Sequence, residues 1–320
     1  MIQVEAGVYI GAASDLKDAQ DLTSAGITHI LTVDSEQPAS PAGSFRMKYV
    51  YSLDESSTDL LSHLDDCIRF ICDACEASKS VLVHCHVGQS RSAAVVTAYL
   101  MKCHKMNFGD AYAKLQQLKP DVKMNEGFVD QLALYESLGC EVDVTSPQYK
   151  QYRLQKLTEK YPELQNVPKE LFAVDPYLST CSEVVYRCKN KQHKCSSCSP
   201  SGVTPSVFPS RRTLFRASSI LSHTIGNGPT AFAYKKMSNL PSGDQTQCTS
   251  YFTEPVQWME QALLGVMDGQ ILCPKCSSKL GSFSWCGEQC SCGRWVTPAF
   301  QMHKNRVDEI KHISIATLKS

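Results

Sequence analysis

Apolar residues follow two rhythms along the first 140 positions. Short apolar and β-branched runs have the length of buried strands: "VYIGA" from Val8, "THILTV" from Thr28, "KYVYSL" from Lys48 and "SVLVH" from Ser80. Between and after them, apolar residues recur every three or four positions. One helix is predicted from Ser14. A second, from Thr58, lines up Leu60, Leu61, Leu64, Ile68 and Ile71, with Ser57 or Thr58 as its N-cap. Three more helical runs follow the last strand. This alternation predicts an α/β domain over residues 1–140, with a mainly parallel central sheet flanked by helices.

From 141 the pattern loosens. "YKQYRLQKLTEKYPELQ" is a charged helical segment, and "VPKELFAVDPYLST" is polar and proline-spaced, so 141–180 is expected to be a linker. Residues 181–311 carry short β-like pieces, "EVVYRC", "TLFRASS", "TAFAYKKM" and "GRWVTPAF". Each has few apolar residues, so a small mainly-β domain with a small core is expected, one that a bound metal would stabilise. The Ser-, Pro- and Lys-rich stretch at 189–209 is expected to be a disordered insertion.

Composition adds limits. The 320 residues are 42% hydrophobic and 20% charged, which is globular, and 32 basic residues balance 32 acidic ones. No overall field favours nucleic acid or an anionic membrane. "FRASS", "AYKKM" and "QMHKNRVDEIK" are scattered basic stretches, more simply read as solvated surface than as an RNA-binding face. The start "MIQVEAGVYIGAA" lacks a basic leader with an apolar core, and no apolar run reaches membrane-spanning length. A soluble intracellular protein is expected.

Sixteen cysteines are unevenly placed, nine of them from Cys188 to Cys292. Cys67, Cys72, Cys75 and Cys103 fall in or beside amphipathic helices and read as small buried hydrophobes. The later ones have metal-ligand spacing. "CPKC" offers Cys273 and Cys276, and "CGEQCSC" offers Cys286, Cys290 and Cys292. Two thiolates from each turn suit a tetrahedral zinc, and Cys290 and Cys292 are preferred because the Gly293 turn and a strand-like run follow them. Cys188, Cys195, Cys198, His223 and Cys248 offer five candidates for the four positions of a second site. Two structural zinc ions are thus expected.

The turn between "VLVH" and "SAAVVTAYL" contains Cys85, Gly88 and Arg91. The loop of His86, Val87, Gly88, Gln89 and Ser90 can curl so that its N–H groups point inward, and Gly88 permits the curl. A helix beginning near Arg91 adds its positive N-terminal end, and the guanidinium adds a fork matched to phosphate oxygens. Such surroundings favour a thiolate at Cys85, placed for in-line attack on phosphorus. Ser92 can donate to the sulfur, and His84 orders the loop. The leaving oxygen needs a proton, and Asp54, on a loop after a strand, is preferred as donor over Glu55, Asp59, Asp65 and Asp66.

"HCHVGQSRS" matches the H-C-x-x-G-x-x-R-S/T signature of cysteine-dependent protein phosphatases, and the first 140 residues resemble a dual-specificity phosphatase domain, including "VYIGAASDLKD", "GITHILTV" and "MNEGFVDQL". The resemblance implies Cys85 as nucleophile, Asp54 as general acid and Arg91 as phosphate clamp. It places Asn125 as a support for the active-site loops and Phe128 and Gln131 as packing positions. It implies a shallow pocket open to phosphoserine, phosphothreonine and phosphotyrosine in protein substrates. Family members with a cysteine-rich carboxyl-terminal half further imply cytoplasmic and nuclear residence. They also imply an alternative role as a zinc-dependent assembly factor for the large ribosomal subunit, in contact with a pre-ribosomal particle.

Overall fold

The computed structural model describes residues 1–160, 167–178, 183–189, 212–226 and 248–311. The chain divides into two compact units, Met1–Asp143 and Val144–Ser320.

The first unit contains a five-stranded sheet built from β1 (Ile2–Glu5), β2 (Val8–Ala12), β3 (Ile27–Asp34), β4 (Arg46–Tyr51) and β5 (Ser80–Cys85), in the spatial order β1-β2-β5-β3-β4. Only β1 runs antiparallel to its neighbour. Both central strands, β3 and β5, are buried along nearly their whole length, because helices cover a parallel sheet on both faces and leave no polar side. Ile30 and Leu82 are cross-strand partners, and both pack with Leu22 of α1 (Ala19–Ser24). Alternation sends Leu31 and Val83 to the opposite face.

The helix expected from Thr58 begins later, as α2 (Leu64–Glu76), with no side-chain cap. Residues 58–63 are held back by another element. Gln131 Oε1 accepts from the N–H groups of Leu60 and Leu61, each at 2.8 Å, while its Nε2 donates to the Thr58 carbonyl at 2.8 Å. Gln131, expected only to pack, is therefore a polar clasp. Leu60, Leu61, Leu64, Ile68 and Ile71 are all buried, as a helical stripe required. Helices α3 (Arg91–His104), α4 (Phe108–Leu118) and α5 (Glu126–Ser137) complete the unit. Helix α3 is buried from Arg91 to Met101, so it runs through the core. Of the thiols read as buried, Cys67 is, Cys72 and Cys75 are half-buried, and Cys103 is exposed.

The second unit opens with α6 (Pro147–Lys160). Its strands are β6 (Val185–Cys188), β7 (Thr213–Arg216), β8 (Ser250–Phe252), β9 (Asp268–Leu272), β10 (Lys279–Ser284), β11 (Glu288–Gln289), β12 (Trp295–Val296), β13 (Ala299–His303) and β14 (Val307–Ile310). They form a four-stranded sheet ordered β8-β13-β10-β9, a three-stranded sheet ordered β14-β6-β7 and the ribbon β11-β12. One expectation is corrected here. The segment read as a linker contributes Leu157, Val167 and Phe172 to a shared core with Phe215, Phe283, Trp285 and Phe300. Cys195, Cys198, "TAFAYKKM" and the 189–209 insertion beyond Lys189 lie outside the described residues.

Candidate active site

Residues of the candidate site gather at the carboxyl ends of β3, β4 and β5, the side of a parallel sheet where connecting loops leave a crevice. Cys85 ends β5, fully buried. The following loop folds back over its sulfur. Gly88 N–H donates to Cys85 Sγ at 3.2 Å, and Ser92 Oγ lies 3.3 Å from the same sulfur. Gly88 makes this possible twice over: its φ is +80°, and a Cβ there would stand 2.6 Å from the Gly11 carbonyl oxygen. Outer contacts fix the rest. The His86 carbonyl accepts from Ala13 N–H at 3.2 Å, and the Gln89 carbonyl from Lys123 N–H at 3.0 Å. Val87 is exposed at the rim.

His84 lies behind the loop. One ring nitrogen, Nε2, is 2.7 Å from Thr32 Oγ1, and burial pushes its pKa below the usual histidine range, so the neutral ring is favoured. This is the geometry of a support for the loop, not of a base beside the sulfur.

Arg91 starts α3 with its side chain buried. Nη1 donates to Asp34 Oδ1 at 2.6 Å and to the Ser52 carbonyl at 3.2 Å. Its Nε has no hydrogen-bond acceptor among the described residues, although it is buried. A buried guanidinium donor without an acceptor fits an oxyanion ligand.

Asp54 sits on the loop after β4. Its Oδ1 accepts from Ser90 Oγ at 2.6 Å and from Asn125 Nδ2 at 2.7 Å, and its Oδ2 lies 3.9 Å from Arg91 Nε. Asn125 also caps α5, accepting from Phe128 N–H at 2.9 Å. Close approach of the acid-bearing loop to α5 requires Gly127, where a Cβ would stand 2.4 Å from the Ser56 carbonyl oxygen. Thus Cys85, Gly88, Ser90, Arg91, Ser92, Asp54 and Asn125 converge. The other carboxylates have different partners: Glu55 accepts from Ser57 Oγ at 3.4 Å. Asp59 caps the 58–63 turn through Ser62, Asp65 binds Lys102 and Tyr135, and Asp66 pairs with Lys48 and Arg69. Asp34 was missed by the sequence reading; its one available signal was its place at the end of a strand neighbouring "VLVHC".

The second unit brings cysteines together in a different combination from the expected one. Cys273 and Cys276 do not join Cys290 and Cys292. They cluster with Cys188, while Cys290 and Cys292 cluster with His223 and Cys248. Within each group the ligand atoms lie within 4.8 Å of one another. Cys286 is exposed and belongs to neither. The crossing has a structural cause: "CPKC" follows β9 and meets the end of β6, whereas Cys290 and Cys292 lie in the turn joining β11 to β12 and meet the segment before β8.

A tetrahedral ion with ~2.3 Å bonds to sulfur sets ligand atoms about 3.8 Å apart or closer. Cys188 and Cys276 sulfurs are 3.7 Å apart, and His223 Nε2 is 3.5 Å from Cys248 Sγ and 3.4 Å from Cys292 Sγ. Both clusters can hold a metal ion. Burial alone raises the Cys276 thiol, but donors at Ser278 and the neighbouring thiols outweigh it and bring it down to about 7. Burial likewise raises Cys292, and the N–H groups of Gly226 and Arg294 reverse it to a net lowering. Burial pushes Cys248 up to about 12 and Cys273 up to about 11. Of the basic stretches, Lys304 stands over the Tyr251 ring at 4.9 Å, and Arg216 lies in β7.

Residues 8–138 match the family description "Dual specificity phosphatase, catalytic domain". Over 98% of its length the chain is 57% identical to Dual specificity protein phosphatase 12 of Homo sapiens, covering 90% of that protein. It is 31% identical to Dual specificity protein phosphatase MPK-4 of Drosophila melanogaster, over 97% of this chain and 88% of that one. Among solved structures, human DUSP28 is 31% identical, spans 44% of this chain and 100% of its own, and superposes with a TM-score of 0.43.

Proposed function

The chain belongs to the dual-specificity protein phosphatase family, and on that premise we propose that it hydrolyses phosphoprotein monoesters through a phosphocysteine intermediate on Cys85. One observation carries this reading: two hydrogen-bonding groups converge on the Cys85 sulfur, while the buried Arg91 Nε has no hydrogen-bond acceptor among the described residues.

The sulfur attacks phosphorus in line with the leaving oxygen. The S–P bond forms, the P–O bond breaks, and Asp54, 3.9 Å from Arg91 Nε, gives its proton to the leaving alkoxide or phenoxide. Arg91 and the loop N–H groups from His86 to Ser90 hold the phosphoryl oxygens as charge spreads over them. Water then attacks the phosphocysteine, with Asp54 now accepting its proton and Ser92 donating to the departing sulfur. The exposed Val87 at the rim is compatible with a shallow site that admits both aryl and alkyl phosphates.

Zinc is the proposed occupant of both cysteine clusters. Three thiols and an imidazole fill the four positions of a soft, tetrahedral site, and the other cluster supplies three thiols toward one among the described residues. The contribution of zinc there is structural, tying strand ends and loops whose separation in sequence is large. Cytoplasmic and nuclear residence, and the alternative role in large ribosomal subunit assembly, rest on family resemblance. Rescue of a deletion by Cys85→Ser would assign that cellular role to the scaffold and not to catalysis.

The test is hydrolysis of a small aryl phosphate by purified protein with metal content measured on the same samples. Cys85→Ser should abolish turnover and Asp54→Ala should reduce it, with about two zinc ions per chain. Turnover that survives Cys85→Ser removes the proposed mechanism.

A further inference from the structure

Arg91 faces a second carboxylate besides Asp54. Asp34 ends β3, two residues beyond Thr32, which is the register partner of His84. Its carboxylate is held through one oxygen. Oδ1 accepts from Arg91 Nη1 at 2.6 Å and from Ser35 N–H at 2.8 Å, with Ser35 Oγ at 3.4 Å. The Asp34 backbone carbonyl accepts from Ser52 N–H at 3.0 Å, and the Ser52 carbonyl in turn accepts from the same Nη1 at 3.2 Å. Both side chains of the pair are more than nine-tenths buried.

We propose that Asp34 is a positioning residue for the phosphatase reaction: it fixes the rotation of the Arg91 guanidinium so that the edge carrying Nε faces the phosphoryl group. A guanidinium has five N–H bonds in one plane and can offer more than one edge to an oxyanion. With Nη1 committed to Asp34 and the Ser52 carbonyl, the edge of Nε and Nη2 is the one left to bind in two-pronged fashion. The orphaned Nε is on that edge. Asp34 also neutralises part of the Arg91 charge in the resting site. Its two effects on an oxyanion therefore oppose each other. It aligns the fork for the transition state, and it weakens the general pull on any anion.

That opposition gives a signature that loss of fold cannot copy. In Asp34→Asn the hydrogen-bond acceptor stays but the charge is gone, so the guanidinium is freer to turn and more attractive to anions. Turnover of an aryl phosphate should fall about tenfold or more, while KM and the inhibition constant for inorganic phosphate stay level or decrease. Asp34→Ser, made in parallel, keeps a smaller acceptor, so if one variant does not fold the other decides. Thermal unfolding of each verifies that the folded protein is being assayed.

The inference rests on Arg91 as the phosphate clamp, and a double-mutant cycle separates the two claims. Lysine lacks the fork, so in an Arg91→Lys background Asp34→Asn should change turnover by less than about twofold. Equal losses in both backgrounds would show that Asp34 acts on the fold and not through Arg91, which overturns the proposal. Unchanged turnover in Asp34→Asn, or a loss lying wholly in KM, overturns it too. Cys85→Ser is the control for the parent reading: activity persisting there defeats the mechanism itself, whatever Asp34 does.

Discussion

Replacing Asn125 separates two contributions made by one side chain. Its Oδ1 caps α5 by accepting from Phe128 N–H at 2.9 Å, and its Nδ2 holds Asp54 Oδ1 at 2.7 Å. Serine at this position can keep the cap and cannot reach as far, so Asn125→Ser removes chiefly the second contact. Alanine removes both. A lost cap costs about 1 kcal/mol of stability. The acid is neutral when it gives its proton, and a hydrogen bond between neutral groups contributes about 0.5–1.5 kcal/mol, with Ser90 Oγ still bonded to the carboxyl at 2.6 Å. About 1.4 kcal/mol is a factor of ten in rate. The loss should depend on the leaving group. An acid matters for phenyl or alkyl phosphate, whose leaving oxygen is strongly basic, and little for p-nitrophenyl phosphate. Asn125→Ser should therefore turn over phenyl phosphate about twofold to tenfold more slowly, p-nitrophenyl phosphate nearly normally, and unfold close to the parent temperature. Asn125→Ala should repeat the kinetic pattern with a lower Tm. Equal losses on both substrates in Asn125→Ser would refute the assignment of Asn125 to the acid.

Three further expectations concern other parts of the molecule. Gly88→Ala combines a left-handed backbone with a Cβ set against the Gly11 carbonyl; it should cost about 2–4 kcal/mol and most of the activity, read by urea unfolding and turnover, and a normally stable, active variant would show the loop is not so constrained. Cys276→Ser and Cys290→Ser should each lose a different metal ion, so the double variant loses both by elemental analysis; if it loses no more than either single variant, one shared site is present instead of the crossed pair of clusters. Burial acts to raise Asp65, but Lys102 Nζ at 2.6 Å, Val142 N–H at 2.7 Å and Tyr135 OH at 2.8 Å outweigh it and hold the carboxyl below its ordinary value of 3.8. The unfolded chain then binds the proton first as pH falls, so this stabilisation is complete above 3.8 and is lost as pH falls through the lower folded value; the stability difference between parent and Asp65→Asn should shrink over that acid range, and a pH-independent difference would contradict it.

Much of this was legible where chemistry is local in sequence. Cys85, Gly88 and Arg91 share one strand-turn-helix, and the strand's apolar run and the helix's start are both local signals. Asp54 could be chosen because a strand ends just before it. What escaped was whatever depended on elements far apart in the chain. Gln131 overrode the N-cap expected at Ser57 or Thr58 by reaching about 70 residues back to bind the backbone of the turn. Asp34 carries no local mark, since an aspartate ending a strand is ordinary until the Arg91 side chain is seen against it. The cysteine groupings failed for the same reason. Spacing correctly singled out short knuckles, but which knuckle meets which is set by the sheets, where β6 brings Cys188 to "CPKC" and leaves Cys290 and Cys292 for His223 and Cys248.

The most direct test of the central claim is acid-quenched intact and peptide mass spectrometry of the full chain during turnover of an aryl phosphate. A single phosphoryl adduct on the peptide carrying Cys85, absent in Cys85→Ser and lost as substrate is exhausted, is the expected result. Continued turnover with no adduct at Cys85, or an adduct that maps to another residue, would contradict it.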